Sequence, residues 1–352
     1  MRAVEPPPAP ERDEAREGLE RALARGAEVL SAASSVALAC HVNPDADALG
    51  SMLGLGQYLA ARGKRVVCSY GNQPLSPPRW LSVLDGAGLL VEAKDFPKSP
   101  EVLVALDTAS PDRLGVLAQS VERAREVVVV DHHLTNAGFG TVVILDPTAS
   151  STAELVFRLV ERMGGELPPG AAACLYAGIV TDTGRFQYEA TTPETLRVAA
   201  RLRTYPFDHT RIAQALFEEN SLAALKAAAV ALERAVLEPE ADLVWTYLLQ
   251  SDLERVSAAM ADTDDFIDLL RTAREADVAC VIKQQRDGRF KVSLRSKGAT
   301  DVGSVAAAFG GGGHRLAAGY TSTVGLAETV RRLVAALAAR RTASPGDGAG
   351  RR

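Results

Sequence analysis

The chain has 352 residues and a formal net charge of -5 at pH 7. That length carries a sizeable core with room for two domains. The mild acidity speaks against a binder of long duplex DNA, whose affinity comes from neutralising many phosphates, and favours a short anionic ligand held in a local pocket. Cys40, Cys68, Cys174 and Cys280 lie singly in apolar stretches with no C-x-x-C pair, so they read as small core residues of a reducing compartment. No uninterrupted apolar run approaches the ~18 residues of a membrane span. Met1 to Asp13 is proline-rich and acidic, without an apolar signal core, so a cytoplasmic location is expected.

In chain order, residues 1–18 are expected to be a disordered arm. Ser35 to Cys40 reads as a strand and Ala48 to Ala61 as a helix closed by Gly63. Arg65 to Tyr70, Val102 to Leu106, Val127 to Val130 and Thr141 to Leu145 are strand-like, and Ala153 to Met163 and Ala171 to Thr181 are helical. Short apolar strands alternating with helices predict an α/β fold whose N-terminal parallel-sheet domain, residues 19–205, is covered on both faces. An Ala/Leu/Arg-rich stretch free of strand signals, residues 206–236, predicts a helical connector. A smaller α/β domain follows at 237–340. Its strands are Asp242 to Leu249, Val278 to Gln285 and Arg289 to Arg295, the last two joined by the turn signal Asp287-Gly288. Phe290, Val292 and Leu294 form the core face of the last strand, and its other face carries Arg289, Lys291 and Arg295. Residues 341–352 read as a disordered tail.

Ligands of parallel sheets bind beyond the carboxyl ends of the strands. His41 follows the first strand, Asp107 follows Val102 to Leu106, and Asp131-His132-His133 follows four valines. Three strands therefore deliver metal-type donors to one sheet edge. Asp45 and Asp47, two residues apart in a turn, can each face a different metal, although Asp47 is also placed to cap the helix near Ala48. Asp107 is the candidate carboxylate to bridge two metals. Three consecutive polar residues after four valines are costly to bury without a metal or partners. Asp182, beside Gly184, is an ordinary turn residue by itself. Gly310 to Gly313, followed by His314, lets a backbone approach an anion closely, yet no Lys-Ser/Thr follows to make a P-loop. His209 belongs to no motif and reads as structural or surface.

Taken together, His41…Asp45-x-Asp47, Asp107, Asp131-His132-His133, Asp182 and the Gly-Gly-Gly-His element resemble the DHH-DHHA1 phosphoesterases. The likeness is strongest to the small two-domain nano-RNases that also act on phosphoadenosine phosphate, and it covers roughly residues 19–340. Arg113, Gly115 and the Arg295-Ser296 pair support it. The resemblance implies a DHH domain, a DHHA1 domain and an active site in the cleft between them. It implies two divalent ions, usually manganese, with magnesium and cobalt as alternatives. One ion takes His41, Asp45 and Asp107; the other takes Asp47, Asp107, His132 and Asp182. Asp131 would orient a histidine and His133 would face the substrate phosphate. Arg295, Ser296, Gly312, Gly313 and His314 would hold the far end of a short RNA or small nucleotide. A cyclic dinucleotide phosphodiesterase with the same centre is the rival enzyme, and an inert nucleotide-binding regulator the rival of another class. A homodimer is compatible with the sequence, but no residue argues for one.

Overall fold

The computed structural model describes residues 9–136, 138–263, 266–313 and 315–343. They divide into two compact units between Glu219 and Asn220.

The N-terminal unit runs α1 (Ala9–Ala32), β1 (Ser35–Cys40), α2 (Ala46–Ala61), β2 (Arg65–Tyr70), β3 (Val102–Leu106), α3 (Ala118–Arg123), β4 (Glu126–Asp131), β5 (Val142–Leu145), α4 (Thr152–Met163), α5 (Pro169–Asp182), α6 (Pro193–Leu202) and α7 (His209–Phe217). Its five strands are all parallel, in the order β2-β1-β3-β4-β5. Near-continuous apolar runs are what a sheet buried on both faces requires. Successive side chains point to opposite faces. Val36, Leu38, Val102, Val104, Val128 and Val130 join one core with residues of α1, α2, α4 and α5. Ala37, Ala39, Leu103, Ala105, Val127 and Val129 face the other way, against Phe96, Leu114 and Leu117. The alanines keep that second face shallow, so loops and a 3-10 turn at Pro111–Leu117 suffice to cover it. α2 and α5 cross closely because Gly50 has no side chain; a Cβ there would sit 2.4 Å from the Cys174 carbonyl oxygen.

Several expectations are corrected here. Residues 9–18 are helical rather than an arm, as the N-terminal part of α1. Leu19, Leu23, Ala27 and Leu30 repeat at helical spacing and bury one face of α1 in the core. Asp45, not Asp47, caps α2: its side chain accepts the Ala48 N–H at 3.0 Å. This frees the Asp47 carboxylate for other partners. Gly63 lies one residue beyond the C-cap, Arg62.

The C-terminal unit runs α8 (Leu222–Glu233), β6 (Val236–Glu238), β7 (Leu243–Leu248), α9 (Gln250–Val256), α10 (Phe266–Arg271), β8 (Val278–Gln284), β9 (Phe290–Ser296), α11 (Val302–Ala308), β10 (Gly312–Gly313), β11 (Ala317–Ser322) and α12 (Leu326–Ala343). Its six strands lie in the order β10-β11-β9-β8-β7-β6, with only β7 and β8 parallel. β8 is apolar on both faces: Val278, Cys280 and Ile282 join the core containing Leu333 and Leu337 of α12. Ala279 and Val281 pack with Ile267 and Leu270 of α10. The stretch read as a strand-free connector holds α7 and α8, one in each unit, and ends in the edge strand β6. β6 has only three residues, too few for a periodic signal, and depends on pairing with β7. Residues 1–8 and 344–352 of the expected arm and tail lie outside the described residues, while 341–343 complete α12.

Candidate metal centre

Strand register builds the site. Cys40 pairs with Leu106, and Leu106 pairs with Val130. The residues that follow, His41, Asp107 and Asp131, therefore form one row across β1, β3 and β4 at their carboxyl ends. Asp107 has φ of 53°, a left-handed conformation that a non-glycine residue holds only when its surroundings demand it. Its N–H donates to the Val130 carbonyl at 3.0 Å, while its side chain turns into the cluster.

The two oxygens of Asp107 face different neighbours. Oδ2 lies 3.4 Å from His41 Nε2, and Oδ1 lies 3.6 Å from His132 Nε2. His41 Nε2 is also 3.9 Å from Asp45 Oδ2, and His132 Nε2 is 3.3 Å from Asp182 Oδ2. Two donor sets result, each with its ligand atoms within 4.8 Å of one another: His41, Asp45, Asp107 and Asp47, His132, Asp182. A third grouping, Asp107 with His132 and His133, meets the same distance. In it, His133 Nδ1 is also bonded to Asp131 Oδ1 at 2.6 Å.

The donor chemistry fits divalent cations. His41 Nδ1 lies 2.9 Å from the Val42 carbonyl and His132 Nδ1 3.3 Å from the Ala149 carbonyl. A carbonyl only accepts, so each Nδ1 carries a proton and Nε2 turns to the carboxylates. A lone pair at Nε2 facing carboxylate oxygens needs a proton or a cation between them. Four carboxylates, from Asp45, Asp47, Asp107 and Asp182, share this space.

Asp131 is fully buried. Oδ1 takes His133 Nδ1 and the His132 N–H, the latter at 2.9 Å, while Oδ2 accepts from Asn136 Nδ2 at 2.6 Å. Its oxygens are thus engaged in holding the two histidines. Asp47 is held by the N-terminus of α4. Oδ2 accepts the Thr152 N–H at 2.7 Å, and Oδ1 accepts the Ala153 N–H at 2.9 Å and the Ser51 hydroxyl at 3.2 Å. The Thr152 hydroxyl donates to Asp107 Oδ1 at 2.9 Å. Sequence reasoning missed Thr152, Ser51 and Asn136. Ser151-Thr152-Ala153-Glu154 reads only as a helix start, with Ser151 as N-cap, though Ser51 at i+4 from Asp47 on one helix was a usable signal.

Burial, then the charges of Asp107 and Asp182, push the Asp47 carboxyl well above the usual carboxylate range. Burial, then Asp107 and Asp45, do the same to Asp182. Burial also works against ionised Asp107, but the His41 hydrogen bond and the three nearby histidines hold its carboxyl well below that range. Burial opposes protonated His41 and His133 too. Asp107 outweighs it for His41, and Asp131 for His133, so both imidazoles sit above their ordinary value.

In the C-terminal unit, Arg295 is about one-third exposed at 32%. It donates to the Leu294 carbonyl at 3.1 Å and lies 3.9 Å from Asp268 Oδ1. Ser296 is fully buried, and its hydroxyl donates to Asp277 Oδ2 at 3.0 Å. Its oxygen accepts the Gly298 N–H at 3.0 Å, so it braces the 296–300 loop from within. Gly312 and Gly313 form β10, and both are exposed. His314 lies outside the described residues. His209 is exposed at the start of α7.

The carboxyl edge of the parallel sheet thus carries His/Asp donor sets able to hold divalent cations. Residues 35–179 match the DHH family, N-terminal domain, and residues 248–340 match the DHHA1 domain. The chain belongs to the DHH family. It is similar to the bifunctional oligoribonuclease and PAP phosphatase NrnA of Thermus thermophilus, at 36% identity over 297 residues, 84% of this chain and 86% of that protein. The protein of the same name from Bacillus subtilis is 28% identical over 293 residues, 82% of this chain and 90% of the other. The crystal structure of an exopolyphosphatase-related protein from Bacteroides fragilis matches with a TM-score of 0.87 at 25% identity, covering 92% of this chain and 97% of that one.

Two predictions follow from this packing and charge. A Cβ on Gly178 would lie 2.7 Å from Asp47 Oδ1 and 2.9 Å from the Ala153 Cβ. Gly178→Ala should therefore displace Asp47, lowering stability by ~1–3 kcal/mol and weakening divalent-metal binding; unchanged ion affinity in a titration would refute this. The second concerns pH. Asp47 and Asp182 have raised folded values, so the metal-free fold loses stability as pH climbs above the usual carboxylate range. Raised His41 and His133 stabilise fully below about pH 6.5, and that contribution disappears as pH rises through their folded values. Both trends run the same way. Calorimetry of EDTA-treated protein should show the N-terminal unit melting lower at about pH 8 than at about pH 6, and excess manganese should flatten the difference. A metal-free profile that is level or rising would contradict the assigned shifts.

Proposed function

We propose that this chain hydrolyses short oligoribonucleotides, di- to pentanucleotides, to mononucleotides, and dephosphorylates 3′-phosphoadenosine 5′-phosphate to AMP. The observation that carries the reading is Asp107, whose two oxygens face two separate His/Asp donor sets. The similarity of most of the chain to the NrnA proteins supports the substrate class.

His41, Asp45 and Asp107 would hold one ion, and Asp47, Asp107, His132 and Asp182 the other. When bound, such a pair supplies Lewis acidity and a water of lowered pKa. We favour manganese over magnesium because imidazole donors suit a borderline ion better than a hard one. The water oxygen bonds to phosphorus, the phosphorus–oxygen bond to the leaving nucleotide breaks, and the leaving oxygen takes up a proton. Asp131 fixes the His133 ring through Nδ1, and the imidazole would donate to a non-bridging phosphoryl oxygen. Arg295 would bind a remote phosphate in place of its distant neighbour Asp268, and the exposed Gly312-Gly313 backbone would approach the same end. Four free, buried cysteines support a reducing, cytoplasmic location. No helix among the described residues is long and apolar enough to cross a membrane.

The test is a manganese-dependent assay of pApA, pAp and cyclic di-AMP at equal concentration, with products separated. AMP from pApA and pAp, with slow cyclic turnover, is the expected result. Fast ring opening would instead make the chain a cyclic dinucleotide phosphodiesterase, and no turnover despite intact metal binding would sink the reading. Asp107→Ala should lower kcat more than ~100-fold, beyond what losing a ligand's orienting partner costs. Near-normal turnover would mean the metal assignment is wrong. Arg295→Ala should raise KM about tenfold or more with kcat little changed; a fall in kcat alone would misplace that residue.

A further inference from the structure

Asp47 and Asp107 come from different elements and belong to different donor sets, so something must fix their separation. Thr152, the first residue of α4, touches both. Its backbone N–H donates to Asp47 Oδ2 at 2.7 Å and its hydroxyl to Asp107 Oδ1 at 2.9 Å. Thr152 is fully buried. A carboxylate only accepts, so the hydroxyl proton is directed at Asp107. That oxygen is the one facing His132, on the side of the Asp47, His132, Asp182 set.

Thr152 is itself immobilised. Ser151 caps α4 by accepting the Glu154 N–H at 3.1 Å. Buried Glu154 Oε2 in turn accepts the Ser150 hydroxyl at 2.7 Å and the Thr195 hydroxyl at 2.9 Å, tying the start of α4 to α6. The clamp is thus backed by a rigid, water-excluded frame rather than a mobile loop. Such partners fix ligand orientation and raise metal affinity.

We propose that Thr152 is the positioning residue that sets the spacing of the two donor sets, clamping Asp47 through its backbone and Asp107 through its hydroxyl. The proposal rests on the two-ion reading above. Thr152→Val keeps the N–H and the side-chain shape but removes the hydroxyl; Thr152→Ala removes it without adding a methyl; Thr152→Ser retains it.

The experiment is manganese titration of the full chain, read by electron paramagnetic resonance, with steady-state kinetics on pApA alongside. Wild type should bind two ions with an exchange-coupled dimanganese signal. Thr152→Val should bind one of them roughly 10–100-fold more weakly, lose most of the coupled signal at limiting manganese, and lose kcat with KM little changed. Thr152→Ser should restore both readouts. Melting in EDTA shows whether each variant folds, and Thr152→Ala decides the matter if the valine variant does not. Wild-type ion affinity and coupling in a folded hydroxyl-less variant would overturn the proposal. So would a serine variant as impaired as the valine one, since the methyl rather than the hydroxyl would then matter. A wild-type protein that binds a single ion would instead overturn the two-ion reading, and the clamp with it.

Discussion

The carboxyl edge of the parallel sheet is organised around one buried negative charge, that of Asp107. A carboxylate inside a protein survives only where positive charge or hydrogen bonds meet it. Here His41 and His132 approach its two oxygens from opposite sides, and the Thr152 hydroxyl donates to one of them. The surrounding carboxylates pull the other way: Asp47 and Asp182 hold protons far more tightly than exposed acids. That mixture is balanced by protons in the bare protein and by cations in the loaded one.

Close packing makes this concentration of charge structurally feasible. Three helices converge on Asp47, and each gives way at a defined point. Gly50 lets α2 approach the α5 backbone, Gly178 leaves space beside the carboxylate, and the start of α4 turns its N–H groups inward. A helix N-terminus favours an anion through its unpaired N–H groups and its dipole. Asp47 therefore has a structural host as well as a proposed ion. Because Asp45 takes over the capping of α2, the two carboxylates of the Asp-x-Asp turn separate in role although only one residue lies between them.

The C-terminal unit solves a different problem. Buried Asp277 gathers Ser296, Ala299 and Thr300 and so shapes the loop that follows Arg295. Arg295 keeps its guanidinium partly exposed, with the Leu294 carbonyl at 3.1 Å and the Asp268 carboxylate at 3.9 Å. An arginine with spare donors on a rigid strand suits phosphate recognition. The neighbouring Ser296 hydroxyl bonds Asp277 and the Gly298 N–H and so braces that loop.

Much of the catalytic unit was legible from residue order alone. Apolar runs of strand length announced a parallel sheet, and such a sheet places ligands beyond its carboxyl ends whatever the details. That rule alone puts His41, Asp107 and Asp131-His132-His133 at one edge. Residue order could not supply what depends on neighbours distant in the chain. The strand order β2-β1-β3-β4-β5 sets His41, Asp107 and Asp131 side by side, and no local pattern encodes which strand pairs with which. Thr152 looked like a helix start because its role comes from residues 105 and 45 positions away. The bond from the Ser296 hydroxyl to Asp277 likewise joins residues that no local pattern links. Residue order settles which chemical groups are present and which strand ends carry them, because these follow from short-range periodicity. Which carboxylate caps, which would coordinate and which hydroxyl clamps depends on the fold, because hydrogen bonds and charge act between atoms that folding alone brings within 3–4 Å.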